Sequence, residues 1–191
     1  MIVPGAASQA LASRLATELG EPLAGVAYDR FPDGETLATV PEFDADRAVV
    51  VATTDTNDAW VELLQLQDAV REAGASEVVT VVPYMGYARQ DQSFETGQPV
   101  SARAMARAIS TGTDRVVLVN PHEDAVADFF ACHVTVCDAA GRLPAPPPRR
   151  LPDPPSLSPH PAPARLPEPV RAPYGRGHVD FFAQTRPSRT A

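Results

Sequence analysis

Three short segments hold side chains whose types and spacing could do chemistry. The first, Pro83-Tyr84-Met85-Gly86-Tyr87-Ala88-Arg89-Gln90-Asp91, follows a run of β-branched residues, so it leaves a strand at the end where open α/β sheets place ligands. Its residue types suit a nucleotide: the tyrosines can stack, Gly86 allows close backbone approach, Arg89 has forked donors for phosphate oxygens, and Gln90 can read a polar edge. A solvated polar loop uses the same residues, so composition leaves both readings open. The second segment, Phe31-Pro32-Asp33-Gly34-Glu35, is equally well a plain hairpin turn, because Asp-Gly is the favoured pair where both central residues take positive φ. The third, Asn120-Pro121-His122-Glu123, follows another β-branched run. A neutral imidazole there can ligate a divalent metal or contact phosphate, and a lone histidine can equally be a structural or exposed group.

The elements that must position these segments are strands alternating with helices, the pattern of a mainly parallel sheet covered by helices. Met1 to Val3 is a short apolar start. Ser8 is placed to cap a helix in which Leu11, Leu15 and Leu19 recur at helical spacing, with Gly20 and Pro22 as its stop. Arg47 to Ala52 reads as a buried strand, and Ala59, Leu63, Leu66, Val70 and Ala73 form one helical stripe that ends at Gly74. Glu77 to Val82 returns as a strand, Ser101 caps a helix carrying Ala102, Met105 and Ile109, and Arg115 to Val119 reads as a central strand. Val134 to Val136 closes the sheet. Tyr28 to Val40 forms a hairpin, and Pro83 to Pro99 is a long polar loop of the kind that is usually functional or mobile.

Composition narrows the function. All 16 basic residues are arginine, which excludes any mechanism needing a lysine amine. A net charge of −8 argues against a general nucleic-acid binder. No run of 18 apolar residues and no signal-peptide pattern is present, so the expected location is cytoplasmic, with no membrane partner. Cys132 and Cys137 are five apart in a strand, on opposite faces, which rules against a shared metal. Residues 1–142 hold 21 acids against 9 arginines, whereas residues 143–191 hold 3 against 7, and 13 of the 21 prolines fall between Leu143 and Pro173. The expected division is therefore an α/β domain over 1–142 and a Pro/Arg-rich, poorly ordered tail over 143–191.

Taken together, the order and spacing of FPDGE (Phe31 to Glu35), PYMGYARQD (Pro83 to Asp91), PVSARA (Pro99 to Ala104), NPHE (Asn120 to Glu123) and DFF (Asp128 to Phe130) resemble the ribose-phosphate pyrophosphokinase family in its archaeal form. YGRG (Tyr174 to Gly177) and QTR (Gln184 to Arg186) resemble it more faintly. The resemblance covers roughly residues 1–142. It implies a phosphoribosyltransferase-like α/β fold, a mainly parallel sheet with helices on both faces, and synthesis of phosphoribosyl pyrophosphate and AMP from ATP and ribose 5-phosphate with Mg2+. It also implies ATP contacts at Phe31, Asp33, Gly34, Glu35, Arg89, Gln90 and Asp91, a magnesium association at His122, and a homo-oligomer in which the hairpin reaches a neighbouring subunit's adenine. Catalysis would rest on positioning and charge stabilisation, with a ribose hydroxyl attacking the β-phosphorus of MgATP.

The sequence also departs from the family pattern. Gln184 stands where the family's catalytic loop has lysine, leaving Arg186 as that loop's matching cation, and Ser158-Pro159-His160 lacks the carboxylate that the family has after Ser-Pro. The family's glycine-rich phosphate loop has no counterpart up to Ala191. The expectations that follow are a truncated family member impaired as this chain alone, or a non-catalytic nucleotide-binding or regulatory subunit, or a decayed gene product; association with a full-length paralogue is the alternative to a homo-oligomer.

Overall fold

Short runs of valine joined by apolar-striped helices produce one all-parallel sheet with a hairpin set beside it. In the computed structural model the structure describes residues 1–139. Gln184, Arg186 and the whole proposed tail, 143–191, lie outside the described residues. Strands β1 (Ile2–Pro4), β4 (Arg47–Val51), β5 (Glu77–Val82), β6 (Arg115–Val119) and β7 (His133–Cys137) pair in the order β1-β4-β5-β6-β7. The hairpin strands β2 (Ala27–Arg30) and β3 (Thr36–Thr39) are antiparallel and form their own two-stranded sheet.

The period-2 alternation of each strand sorts its valines between two faces. Val3, Val50, Val78, Val82, Val116 and Leu118 are buried against α2 (Asn57–Glu72) and α3 (Ser101–Ser110), which supply Trp60, Leu63, Leu66, Val70, Ala102, Ala106 and Ile109. The opposite face packs Ile2 and Val51 against Ala12 and Ala16 of α1 (Gln9–Leu19). Helices therefore cover both faces, as the pattern requires. The second face is covered less completely: Val117 and Val119 of β6 are only half-buried although β6 is an interior strand.

Several local expectations are corrected. The leucines of α1 are not its core stripe, since Leu11 is 40% and Leu19 63% exposed while Ala12 and Ala16 are buried. Small side chains let that helix lie close on the sheet. Ser8 sits at the N-cap but makes no capping bond; its hydroxyl accepts from Thr53 N at 2.9 Å. Ser101 is the first helical residue, and its hydroxyl donates to Gln90 Oε1 at 2.6 Å instead of capping. In α2 the buried positions include Gln67, and Ala73 is the exposed C-cap residue. That helix is capped by Thr56, whose hydroxyl accepts from Ala59 N at 3.1 Å, and Gly74 follows it at φ +105°.

The hairpin lies along α2. Gln65 accepts from Ala38 N at 2.9 Å and donates to Thr36 O at 2.8 Å, and Arg30 forms an ion pair with Asp58. Residues 83–100 contain no helix or strand, as expected for the long loop.

Candidate functional site

Because β5 and β6 are adjacent and parallel, with Val82 opposite Leu118, the chain leaves both at the same edge of the sheet. The two connections that follow enclose a cavity of about 140 Å³ lined by Tyr84, Met85, Ala88, Arg89, Asn120, Pro121 and His122. Arg89 and His122, far apart in sequence, thus share one cavity. Arg89 is exposed and has no ion-pair partner among the described residues. A guanidinium without an ion pair among the described residues, lining the same solvent-open cavity as an imidazole, is suited to the oxygens of an anionic group.

The loop is held from below by close backbone approach. Gly86 is buried, and a Cβ there would overlap the Thr54 carbonyl oxygen. Tyr87 follows at φ 61°, in the left-handed region that side chains other than glycine seldom enter. Gln90, expected at the site, is turned elsewhere: its side chain accepts from Ser101 and its carbonyl accepts from Ala102 N at 3.0 Å, so it fixes the start of α3. Asp91 is half-buried and does not line the cavity.

Phe31, Asp33, Gly34 and Glu35 also lie outside this cavity. The hairpin turn differs from the expected type. Only Gly34 takes positive φ, at +95°, and Gly34 N donates to Phe31 O at 2.9 Å. Pro32 fixes its own φ near −65°, which suits the second position of a four-residue turn and leaves the positive φ to the glycine at its end. Asp33 accepts from Glu35 N at 3.2 Å, and Phe31 is 46% exposed.

Asn120, in the third segment, had no role assigned from the sequence. It takes φ 43°, accepts from Ala139 N at 2.8 Å, and lines both this cavity and a neighbouring one of about 370 Å³ that includes Asp124 and Cys137. The available signal was an asparagine directly after a strand, since Asn tolerates positive φ.

A further cavity of about 260 Å³ lies between the hairpin and α2, lined in part by Tyr28, Arg30, Asp58, Glu62 and Gln65. Burial pushes the Glu62 carboxyl up from its ordinary range, opposed by the bond it accepts from Ala6 N at 2.7 Å. Burial, then the charge of Glu62, pushes the Tyr28 hydroxyl up as well. A carboxyl raised in the folded state binds more protons folded than unfolded, so its contribution to stability falls as pH rises above the unfolded value of about 4.3. Glu62→Gln keeps an acceptor for Ala6 N without the charge. It is expected to flatten that fall, measured as denaturation midpoint against pH from about 4 to 7.

The sequence matches the model of the N-terminal domain of ribose phosphate pyrophosphokinase over residues 1–112. The chain belongs to the ribose-phosphate pyrophosphokinase family. A ribose-phosphate pyrophosphokinase of Halobacterium salinarum is 57% identical over 189 residues, covering 98% of this chain and 67% of that protein. A ribose-phosphate pyrophosphokinase of Methanosarcina mazei is 46% identical over 143 residues, covering 74% of this chain and 47% of that protein. The crystal structure of phosphoribosylpyrophosphate synthetase from Mycobacterium smegmatis superposes with a TM-score of 0.64 at 29% identity, covering 73% of this chain and 48% of that one. The chain thus spans two-thirds of the Halobacterium protein and about half of the other two. Residues 1–112 therefore correspond to the ribose-phosphate pyrophosphokinase N-terminal domain, and the mainly parallel α/β fold is the family's.

Proposed function

We propose that this chain supplies the nucleotide-binding part of ribose-phosphate pyrophosphokinase chemistry, ATP and ribose 5-phosphate giving phosphoribosyl pyrophosphate and AMP. The observation that carries this reading is the shared cavity of Arg89 and His122 at the sheet's C-terminal edge. In the proposed reaction a ribose hydroxyl attacks the β-phosphorus, the bond from that phosphorus to the AMP oxygen breaks, and AMP leaves. Arg89 binds and orients the phosphates, and its fixed charge offsets negative charge on the transferring group.

Mg2+ enters as part of the substrate, MgATP. Among the described residues no group of three or more His, Cys, Asp or Glu side chains could hold an ion. A magnesium would be carried in by phosphate oxygens, and His122, which lines the cavity with Arg89, is the residue that would associate with it. Phe31, Asp33, Gly34 and Glu35 are assigned to the adenine of an adjacent subunit in a homo-oligomer. Their position outside the Arg89 cavity and the exposure of Phe31 support that assignment. Gln90 supports the ATP loop by anchoring it to α3, and Asp91 continues the same segment. Arg186, with Gln184 beside it, belongs to the proposed catalytic loop, and the boundary near residue 142 separates the two proposed domains. No helix among the described residues is long and apolar enough to cross a membrane. A cytoplasmic location follows from the proposed metabolic role.

Calorimetry with MgATP and with ADP tests the reading. Arg89→Ala removes a charge-assisted contact of roughly 1.5–3 kcal/mol and is expected to weaken binding by about one to two decades. Binding unchanged by Arg89→Ala, or no binding by the folded parent, would sink it.

A further inference from the structure

The β4–α2 connection and the first turn of α2 touch the Arg89 loop at three places, none of them used by the reading above. Thr54, fully buried, donates its N–H to Tyr84 O at 3.0 Å, and its hydroxyl accepts from Gly86 N at 3.1 Å. The same hydroxyl lies 3.2 Å from Tyr84 O as a donor. Three residues on, Asn57 Oδ1 accepts from the Tyr87 hydroxyl at 2.6 Å. The Tyr87 ring also lies against Trp60, with ring centroids 6.4 Å apart.

These contacts bracket the one strained residue of the loop. Tyr87 sits at φ 61°, a conformation that an L side chain keeps only when its surroundings hold it there. On one side the Gly86 amide is bonded to Thr54, and on the other the Tyr87 hydroxyl is bonded to Asn57. Released from either, Tyr87 can return to negative φ, and the chain beyond it, including Arg89, takes a new direction. Arg89 has no ion pair among the described residues to hold its guanidinium in place. Its aim is set by the backbone that carries it.

We propose that Thr54 and Asn57 are positioning residues for Arg89, holding Tyr87 in the left-handed conformation that aims the guanidinium into the cavity with His122. The role rests on the nucleotide reading of that cavity. Neither side chain lines the cavity, so each acts through the loop.

The test uses the full chain with MgATP in a calorimeter. Thr54→Val and Asn57→Ala are each expected to weaken binding by about 5- to 20-fold, and Thr54→Ser, which keeps the hydroxyl, by less than about twofold. In an Arg89→Ala background neither change should weaken binding further, because the group they position is gone. A role in general stability would lower affinity equally in both backgrounds. Should Thr54→Val fail to fold, Asn57→Ala at an exposed position and Tyr87→Phe, which removes the same bond from the other side, give the same comparison. Folded variants that bind as the parent does, or effects that persist in full with Arg89→Ala, would overturn the positioning role alone. A parent chain that binds no MgATP would overturn the nucleotide reading and this role with it.

Discussion

Gly86→Ala is expected to disable the Arg89 loop even though it adds a single methyl group. The new Cβ would overlap the Thr54 carbonyl oxygen, which is backbone and cannot rotate away as a side-chain tip would. Either the β4–α2 connection or the loop must move, and Trp60 Nε1 at 3.2 Å from the same position closes another way out. Overpacking of this kind costs about 1–3 kcal/mol in stability. The functional loss should be larger, with MgATP binding weakened by about 100-fold, or 2.7 kcal/mol. Gly25→Ala is the matched control, because a Cβ there meets nothing within 4 Å and its expected effect is within about 0.5 kcal/mol. Denaturation and calorimetry on both variants separate the two contributions, and a Gly86→Ala chain that binds like the parent would refute the close-packing argument.

Leu66→Ala tests the platform beneath the site. Leu66 is fully buried in the core between α2 and the sheet, so its truncation leaves a cavity that the surrounding strands cannot fill. The expected cost is about 2–5 kcal/mol, a large share of a total stability of about 5–15 kcal/mol. Urea denaturation should show a lower midpoint with little change in slope. Val79→Ala, on the face where β5 is only half-buried, should cost far less. Equal losses at the two positions would show that the half-buried face contributes to the core as fully as the other.

The parallel strands were legible because each is a short β-branched run between turn residues. β5 and β6 match their expected bounds, Glu77–Val82 and Arg115–Val119. Which apolar side chains are buried was less legible. A leucine stripe and an alanine stripe on α1 have the same period, and only the distance to the sheet decides that Ala12 and Ala16 face inward. Gln67 occupies a core position because its amide donates to Thr80 Oγ1 at 2.8 Å and to Ile109 O at 3.2 Å, partners that belong to other elements. At the site, Arg89 and His122 could be suggested from their places after strands, but their meeting depends on β5 and β6 being neighbours. The anchoring of Gln90 to α3 was not legible because its partner, Ser101, is also a good helix cap, and sequence spacing does not choose between those uses. Thr54 and Asn57 carried no signal of their own, since a Thr shortly before a helix and an Asn at its first position look like ordinary capping residues.

Gln65 has a consequence for how copies of this protein can meet. Its side-chain amide both accepts from Ala38 N and donates to Thr36 O, standing where the peptide group of a further strand would otherwise bond to β3. An unpaired strand edge is a template on which another chain can polymerise. Here that edge is blunted from within the same domain. A neighbouring subunit that engages the hairpin at this edge must therefore recognise it by side chains, and cannot extend β3 as a shared sheet. At the β3 edge the hairpin can serve as a specific contact without becoming a seed for fibrils.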